Sequence, residues 1–271
     1  MGLTKPIVAL DEVPLDRAMM ARIVASADPG MVLVGGQALA FWMDRYGIGP
    51  KEKPGAVFDI RVTTDADFLG SLAQAQRLAQ ALHATVIKPH PRAMTALVAQ
   101  IKIDAGAGLA HNIDVMHQIF DVGGLRKSIE LTARARQRAI KAETASGNVL
   151  QILHPLDVLA SRIHNAAGLA QAKGAHVVTQ VRWGIKVAHA AIERLAASDS
   201  ASRERPGVLA QEVGRLALSR AGRAVYQQYG IETAEAIPFS LLLERVDGFK
   251  RQGDALLRGL QKHGRMLSPR F

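Results

Sequence analysis

Two rhythms of apolar spacing alternate along the first 120 residues. At 13–27, Leu15, Met19, Ile23 and Val24 recur at helical spacing, with Pro14 suited to a first turn and Pro29-Gly30 as a stop. Residues 31–34 form an unbroken apolar run, the pattern of a short buried strand. Residues 37–46 predict a helix with Gly47 just past its end, and 47–55, containing Pro50 and Pro54, a loop. At 60–69 the period drops to two, so Ile60, Val62, Ala66 and Phe68 share one pleat while Arg61, Thr63, Asp65 and Asp67 share the other. A helix over 71–83 follows, with Leu72, Ala75, Leu78 and Leu82 inward, then strands over 84–88, 93–103 and 110–116.

The second half reads differently. Arg134, Arg136 and Arg138 alternate at period two in a segment that fits strand or helix, and 148–153 reads as a short strand. Helical periodicity then covers 155–171, 174–197, 206–229 and about 247–263, with 197–206 as the most linker-like stretch. These elements predict an α+β protein. A small mixed β-sheet with flanking helices occupies 1–120, a basic connecting segment 121–153, and a mainly helical half 154–271.

Composition narrows the chemistry. Of 271 residues 48% are apolar, enough for a substantial core, but only 4% are aromatic, which disfavours a base-stacking RNA surface. The absence of cysteine excludes disulfides, thiolate metal sites and cysteine nucleophiles. No run reaches membrane-spanning length, so no membrane partner and a cytoplasmic address are expected. The net charge of +10 falls entirely in the second half: residues 1–120 hold 11 basic and 11 acidic side chains, and residues 121–271 hold 23 and 13. Such asymmetry is the footprint of a surface that meets a polyanion.

Three features carry candidate chemistry. Gly35-Gly36, between a buried strand and a helix, lets backbone approach a ligand and aims free N–H groups at an anion. Asp65 and Asp67, two apart on one strand face, must be solvated, paired or bridged by a cation. Asp114, between Ile113 and Val115 on a strand that fits beside the first, supplies a third carboxylate; Asp104, before Ala105-Gly106, reads instead as a turn former. Mg²⁺ takes oxygen ligands and retains water, so two or three carboxylates plus substrate phosphates suffice for a site. His111, His117, His154 and His164 lack zinc spacing, and no Walker loop or Gly-x-Ser-x-Gly element is present.

Val34-Gly35-Gly36-Gln37-Ala38, Thr63-x-Asp65-x-Asp67 and Ile113-Asp114-Val115 together resemble the polymerase-β-type nucleotidyltransferase fold, and most closely the abortive-infection (AbiEii-type) toxin branch. The likeness covers roughly residues 31–116 and extends more weakly through 154–162. It implies that Gly35 and Gly36 hold the nucleoside triphosphate, with Gln37 and Thr63 as neighbouring nucleotide-binding candidates; Arg162 and Asn165, three apart on one face of a predicted helix, fit either phosphate neutralisation or, more readily, a solvated helix face. It also implies that Asp65, Asp67 and Asp114 hold two Mg²⁺ ions, and that an acceptor hydroxyl attacks the α-phosphorus of an NTP as pyrophosphate leaves. An RNA acceptor, such as the tRNA 3′ end, and an antitoxin partner are the family's further implications. The chain departs from the pattern in a long interval before Asp65 that contains Lys51-Glu52-Lys53-Pro54, an insertion over about 47–58, and in Gln37 where a small hydroxyl residue is usual. Two other readings are a transferase for a small hydroxylated acceptor, similar to aminoglycoside nucleotidyltransferases, and a non-catalytic nucleic-acid-binding protein. Arg182 and Lys186, four apart on one face of a predicted helix, fit a solvated helix face more readily than phosphate neutralisation.

Overall fold

A computed structural model describes residues 11–49, 65–143, 147, 149–174, 176–198 and 205–267. Thr63, Arg61, the first half of the 60–69 strand and most of the 47–58 insertion lie outside the described residues. The protein is α+β, a mixed sheet with flanking helices followed by a helical C-terminal part. The chain divides into two compact units: Met1–Gln37, Lys53–Gln118 and Ile140–Ile152 in one, and Ala38–Glu52, Ile119–Ala139 and Leu153–Phe271 in the other.

Among the described residues the first unit holds eight strands: β1 (Asp11–Glu12), β2 (Val32–Val34), β3 (Ala66–Leu69), β4 (Thr85–Ile87), β5 (Leu97–Gly106), β6 (Leu109–Met116), β7 (Ile140–Glu143) and β8 (Val149–Ile152). Their order across the sheet is β4-β5-β6-β3-β2-β8-β7, with β1 pairing in parallel onto the start of β6. β3 runs antiparallel to β2 and parallel to β6, which places it in the middle of the sheet. Ala66 and Phe68 are fully buried there, as the period-two reading requires. Helix α1 (Arg17–Ser26) packs against α3 (Leu72–Leu82), whose inward Ala75, Leu78 and Leu82 match the predicted stripe. A reciprocal Ser71–Gln74 capping box starts α3, and His83 in the left-handed region ends it. Pro14 is not in the first turn of α1. The Asp16 carboxylate caps that helix by accepting from the Met19 N–H at 2.7 Å, so it begins later than 13.

Helix α2 (Gly35–Tyr46) starts at the glycine pair, two residues before its predicted start. The ambiguous segment 121–153 resolves into helix α4 (Leu125–Arg138) and the hairpin β7–β8. The arginine alternation is therefore helical: Leu131 and Ala135 are buried, while Arg134 and Arg136 face outward.

In the second unit, α5 (Pro155–Lys173), α6 (His176–Ala197), α7 (Pro206–Leu218), α8 (Arg220–Tyr229), α9 (Phe239–Arg245) and α10 (Phe249–Gln261) surround a core including Leu159, Ile163, Val181, Ile192, Val213 and Val225. The single helix expected over 206–229 is two. The Ser219 hydroxyl donates to the Leu216 carbonyl at 2.7 Å and accepts from the Gly222 N–H at 3.1 Å, turning the chain between α7 and α8. A β-carbon at 222 would collide with the Leu216 and Ala217 carbonyls, so only glycine fits this corner. A 3₁₀ turn at Thr233–Ala236 precedes α9.

Candidate metal centre

Strand register assembles the centre. Val34, the last residue of β2, pairs with Asp67, and Asp67 pairs with Asp114 across the parallel β3–β6 ladder. In register, two residues on adjacent strands share a face, and Asp65 stands at the bend immediately before β3, outside the paired strand. The three aspartates are half-buried, and each can present a carboxylate oxygen such that all three lie within 4.8 Å of one another. This is the spacing of ligands that share cations, and hard carboxylate oxygen suits Mg²⁺ or Mn²⁺.

The glycine is required by the carboxylate. Gly35 has φ +69, where a side chain is strained, and a β-carbon there would lie 2.7 Å from the Asp67 Cγ and 2.8 Å from its Cβ. The start of α2 thus lies directly against Asp67, so the first N–H groups of the helix and this candidate ligand carboxylate share one small volume. Gly36 is buried and Gln37 half-buried in the first turn of that helix.

Asp114 is fixed by two neutral amides. Gln100, its register partner on β5, donates from Nε2 to Oδ1 at 3.1 Å, and Asn112, two residues before it, donates from Nδ2 to the same oxygen at 3.0 Å. Burial pushes the Asp114 carboxyl above its ordinary value, the two amides pull it back, and the charges of Asp65 and Glu12 raise it further. Glu12 is itself held by Lys102 at 2.7 Å. Gln100 and Asn112 are the supporting residues that sequence reading missed. Asn112 carried a signal, because it shares the strand face of Asp114. Gln100 became recognisable only with the β5–β6 register.

Arg162 and Asn165 are on α5 in the second unit and are buried, at 7% exposure each, so neither is a solvated helix face. Arg162 donates from Nη1 to the Gln180 side-chain oxygen at 2.9 Å and from Nη2 to the Ser161 hydroxyl at 3.1 Å. Arg182 and Lys186 are exposed on α6, the latter with its ammonium 4.6 Å from the centre of the Trp183 ring. Asp104 accepts from the Gly106 N–H at 2.8 Å at the β5–β6 turn. His154 caps α5, its Nδ1 accepting from the Leu156 N–H.

No protein-family model and no curated protein sequence matches the chain.

Proposed function

We propose that the protein is a metal-dependent nucleotidyltransferase that moves a nucleoside monophosphate from an NTP to a hydroxyl of an RNA acceptor. The observation that carries this reading is the convergence of Asp65, Asp67 and Asp114 within 4.8 Å beside a glycine that opens a helix. Divalent ions held there would neutralise the triphosphate and stabilise the attacking and leaving oxygens. The chain's own groups do the rest. The N-terminal turn of α2 receives phosphate oxygens on backbone N–H groups, with the helix dipole favouring negative charge. Asp114, its Oδ1 tied to Gln100 and Asn112, keeps its orientation and takes the acceptor hydroxyl's proton on Oδ2 as the oxygen attacks the α-phosphorus. The bond from that phosphorus to the β-phosphate bridging oxygen breaks, and pyrophosphate departs with the electron pair.

The excess of basic over acidic residues beyond position 120 supports an RNA acceptor over a polycationic small molecule, whose pocket would need acids. The tRNA 3′ end as acceptor, and a toxin role restrained by an antitoxin, are the specific forms that the family resemblance favours. Incubation of the protein with Mg²⁺, total RNA and each [α-³²P]NTP tests the reading. Label should enter a defined RNA band with the wild type and not with the Asp65→Ala/Asp67→Ala variant. Label absent with every NTP, or equal in the variant, refutes it.

A further inference from the structure

The second unit contains a cavity of about 670 Å³ walled by α4, α5 and α7, within the range of small-ligand pockets. Its floor is aliphatic, with Leu131, Leu156 and Leu159 among the contributors, and its rim carries the cations Lys127, Arg134 and Arg215. One wall is rigidly built. The His164 Nδ1 accepts from the Val122 N–H at 3.4 Å, and its Nε2 faces an Asp121 carboxylate oxygen at 3.3 Å, tying α5 to the loop that enters α4. Burial holds that imidazole below its ordinary pKa, so the neutral ring with Nε2–H donating matches both partners.

Two of the three acids lining the cavity are already matched to cations, and the third, Asp121, accepts from the Gly123 N–H and faces His164. Glu130 accepts from Arg126 and Lys127, and Glu212 accepts from Arg138 at 2.6 Å. Arg134 is anchored by the fully buried Asp157, at 2.8–2.9 Å, and half of its side chain remains exposed. Arg215 has no hydrogen-bond or ion-pair partner among the described residues. A simple inorganic anion would need neither this volume nor the leucine floor. An apolar planar body joined to a phosphate uses both, because guanidinium groups match phosphate oxygens and the bases' faces are apolar.

We propose that this cavity binds one nucleotide unit of an RNA strand, its base on the leucine floor and its phosphate at Arg215 with Lys127 and Arg134. The location within residues 121–271, where all the excess positive charge lies, favours a strand over a free nucleotide. The lining residues all belong to the second unit, and binding there does not depend on catalysis at the carboxylate centre.

The test uses the full chain in EDTA, which silences any divalent-dependent site. Equilibrium dialysis would compare inorganic phosphate, the four nucleoside 5′-monophosphates and fluorescently labelled RNA trinucleotides. Trinucleotide is expected to bind at least tenfold more tightly than inorganic phosphate and more tightly than any mononucleotide. Arg215→Gln, at an exposed position, should weaken it at least tenfold, as should the cavity-filling Ala160→Leu, with thermal melts confirming folding. Asp65→Ala/Asp67→Ala should leave it unchanged. Trinucleotide binding that is absent, that survives Arg215→Gln, or that disappears in the Asp65/Asp67 variant overturns the assignment. Mononucleotide bound as tightly as trinucleotide overturns the strand assignment. Because no metal or NTP is present, failure of RNA labelling and failure of this binding are independent results.

Discussion

Gly35→Ala probes the dependence of the metal centre on one missing methyl group. Two costs should add. Alanine at φ +69 carries about 1–2 kcal/mol of left-handed strain. Its methyl would also lie 2.7–2.8 Å from the Asp67 Cγ and Cβ, and since Cβ is tied to the backbone of a central strand, rotating the carboxylate cannot relieve the clash. Overpacking of this kind typically costs about 1–3 kcal/mol. Gly47→Ala supplies the control, because Gly47 has φ +65 and open space around it, so only the strain term applies. Urea denaturation should therefore show Gly35→Ala about 2–5 kcal/mol less stable than wild type and Gly47→Ala about 1–2. Mn²⁺ binding followed by electron paramagnetic resonance should weaken roughly 10–100-fold in Gly35→Ala, the range for disturbed support of a metal ligand, and be unaltered in Gly47→Ala. Equal destabilisation of the two variants together with unchanged Mn²⁺ affinity would refute the link between Gly35 and Asp67.

Asp114→Asn should stabilise the metal-free protein near neutral pH. A carboxyl whose folded pKa lies above its unfolded value favours folding below the unfolded value of 3.8, and that contribution is lost as pH rises through the folded pKa. The advantage of the Asn variant in urea melts should accordingly shrink to nothing as pH falls below about 4, while Mn²⁺ binding is weakened at every pH. Asp28 behaves in the opposite sense. Hydrogen bonds from Gln74, Arg77 and the Gly30 N–H lower its pKa to about 2, so Asp28→Asn should lose stability at pH 7, with the loss disappearing as pH falls from about 4 to about 2. Arg265→Ala, which strands the buried Glu232 carboxylate now held at 2.6–2.8 Å, should cost about 3–5 kcal/mol in urea; Arg265→Met/Glu232→Leu should be much milder. A mild Arg265→Ala would show that Glu232 finds another partner.

The sheet-and-helix pattern, the nearness of Asp65 and Asp67 and the glycine pair were legible because each rests on local sequence or backbone requirement, although Asp65 lies at a bend before β3 rather than on the strand face expected. Features set by non-local pairing were not. The corner at Ser219 has no proline, and the demand for glycine at 222 comes from carbonyls of the preceding helix, so 206–229 read as one periodic run. Strand β7 follows the helix after a single residue, and arginines at 134, 136 and 138 imitate strand alternation although the buried residues between them obey helical spacing. Asp114 could be nominated from sequence, but its register with Asp67 on one side and Gln100 on the other depends on strand order.

How the chain treats its acids distinguishes the centre from ordinary buried polarity. In the second unit, Asp157 at 0% exposure receives Arg134, Glu232 at 2% receives Arg265, and Glu212 receives Arg138. Each carboxylate gains a guanidinium, which offsets the loss of water with fixed positive charge. Asp114 is half-buried, yet the donors that hold it are amides of Gln100 and Asn112. Amides orient a carboxylate without neutralising it. They therefore preserve its negative charge beside Asp65 and Asp67 at the expense of folding stability, which the raised pKa of Asp114 records. An arginine at position 100 would relieve that penalty and would also compete with any cation. Neutral support of Asp114 is the arrangement expected where that carboxylate serves a dissociable ion, and Gln100→Arg should accordingly stabilise the metal-free fold while abolishing Mn²⁺ binding. Mn²⁺ affinity retained in a stabilised Gln100→Arg protein would show that the third carboxylate is not a metal ligand.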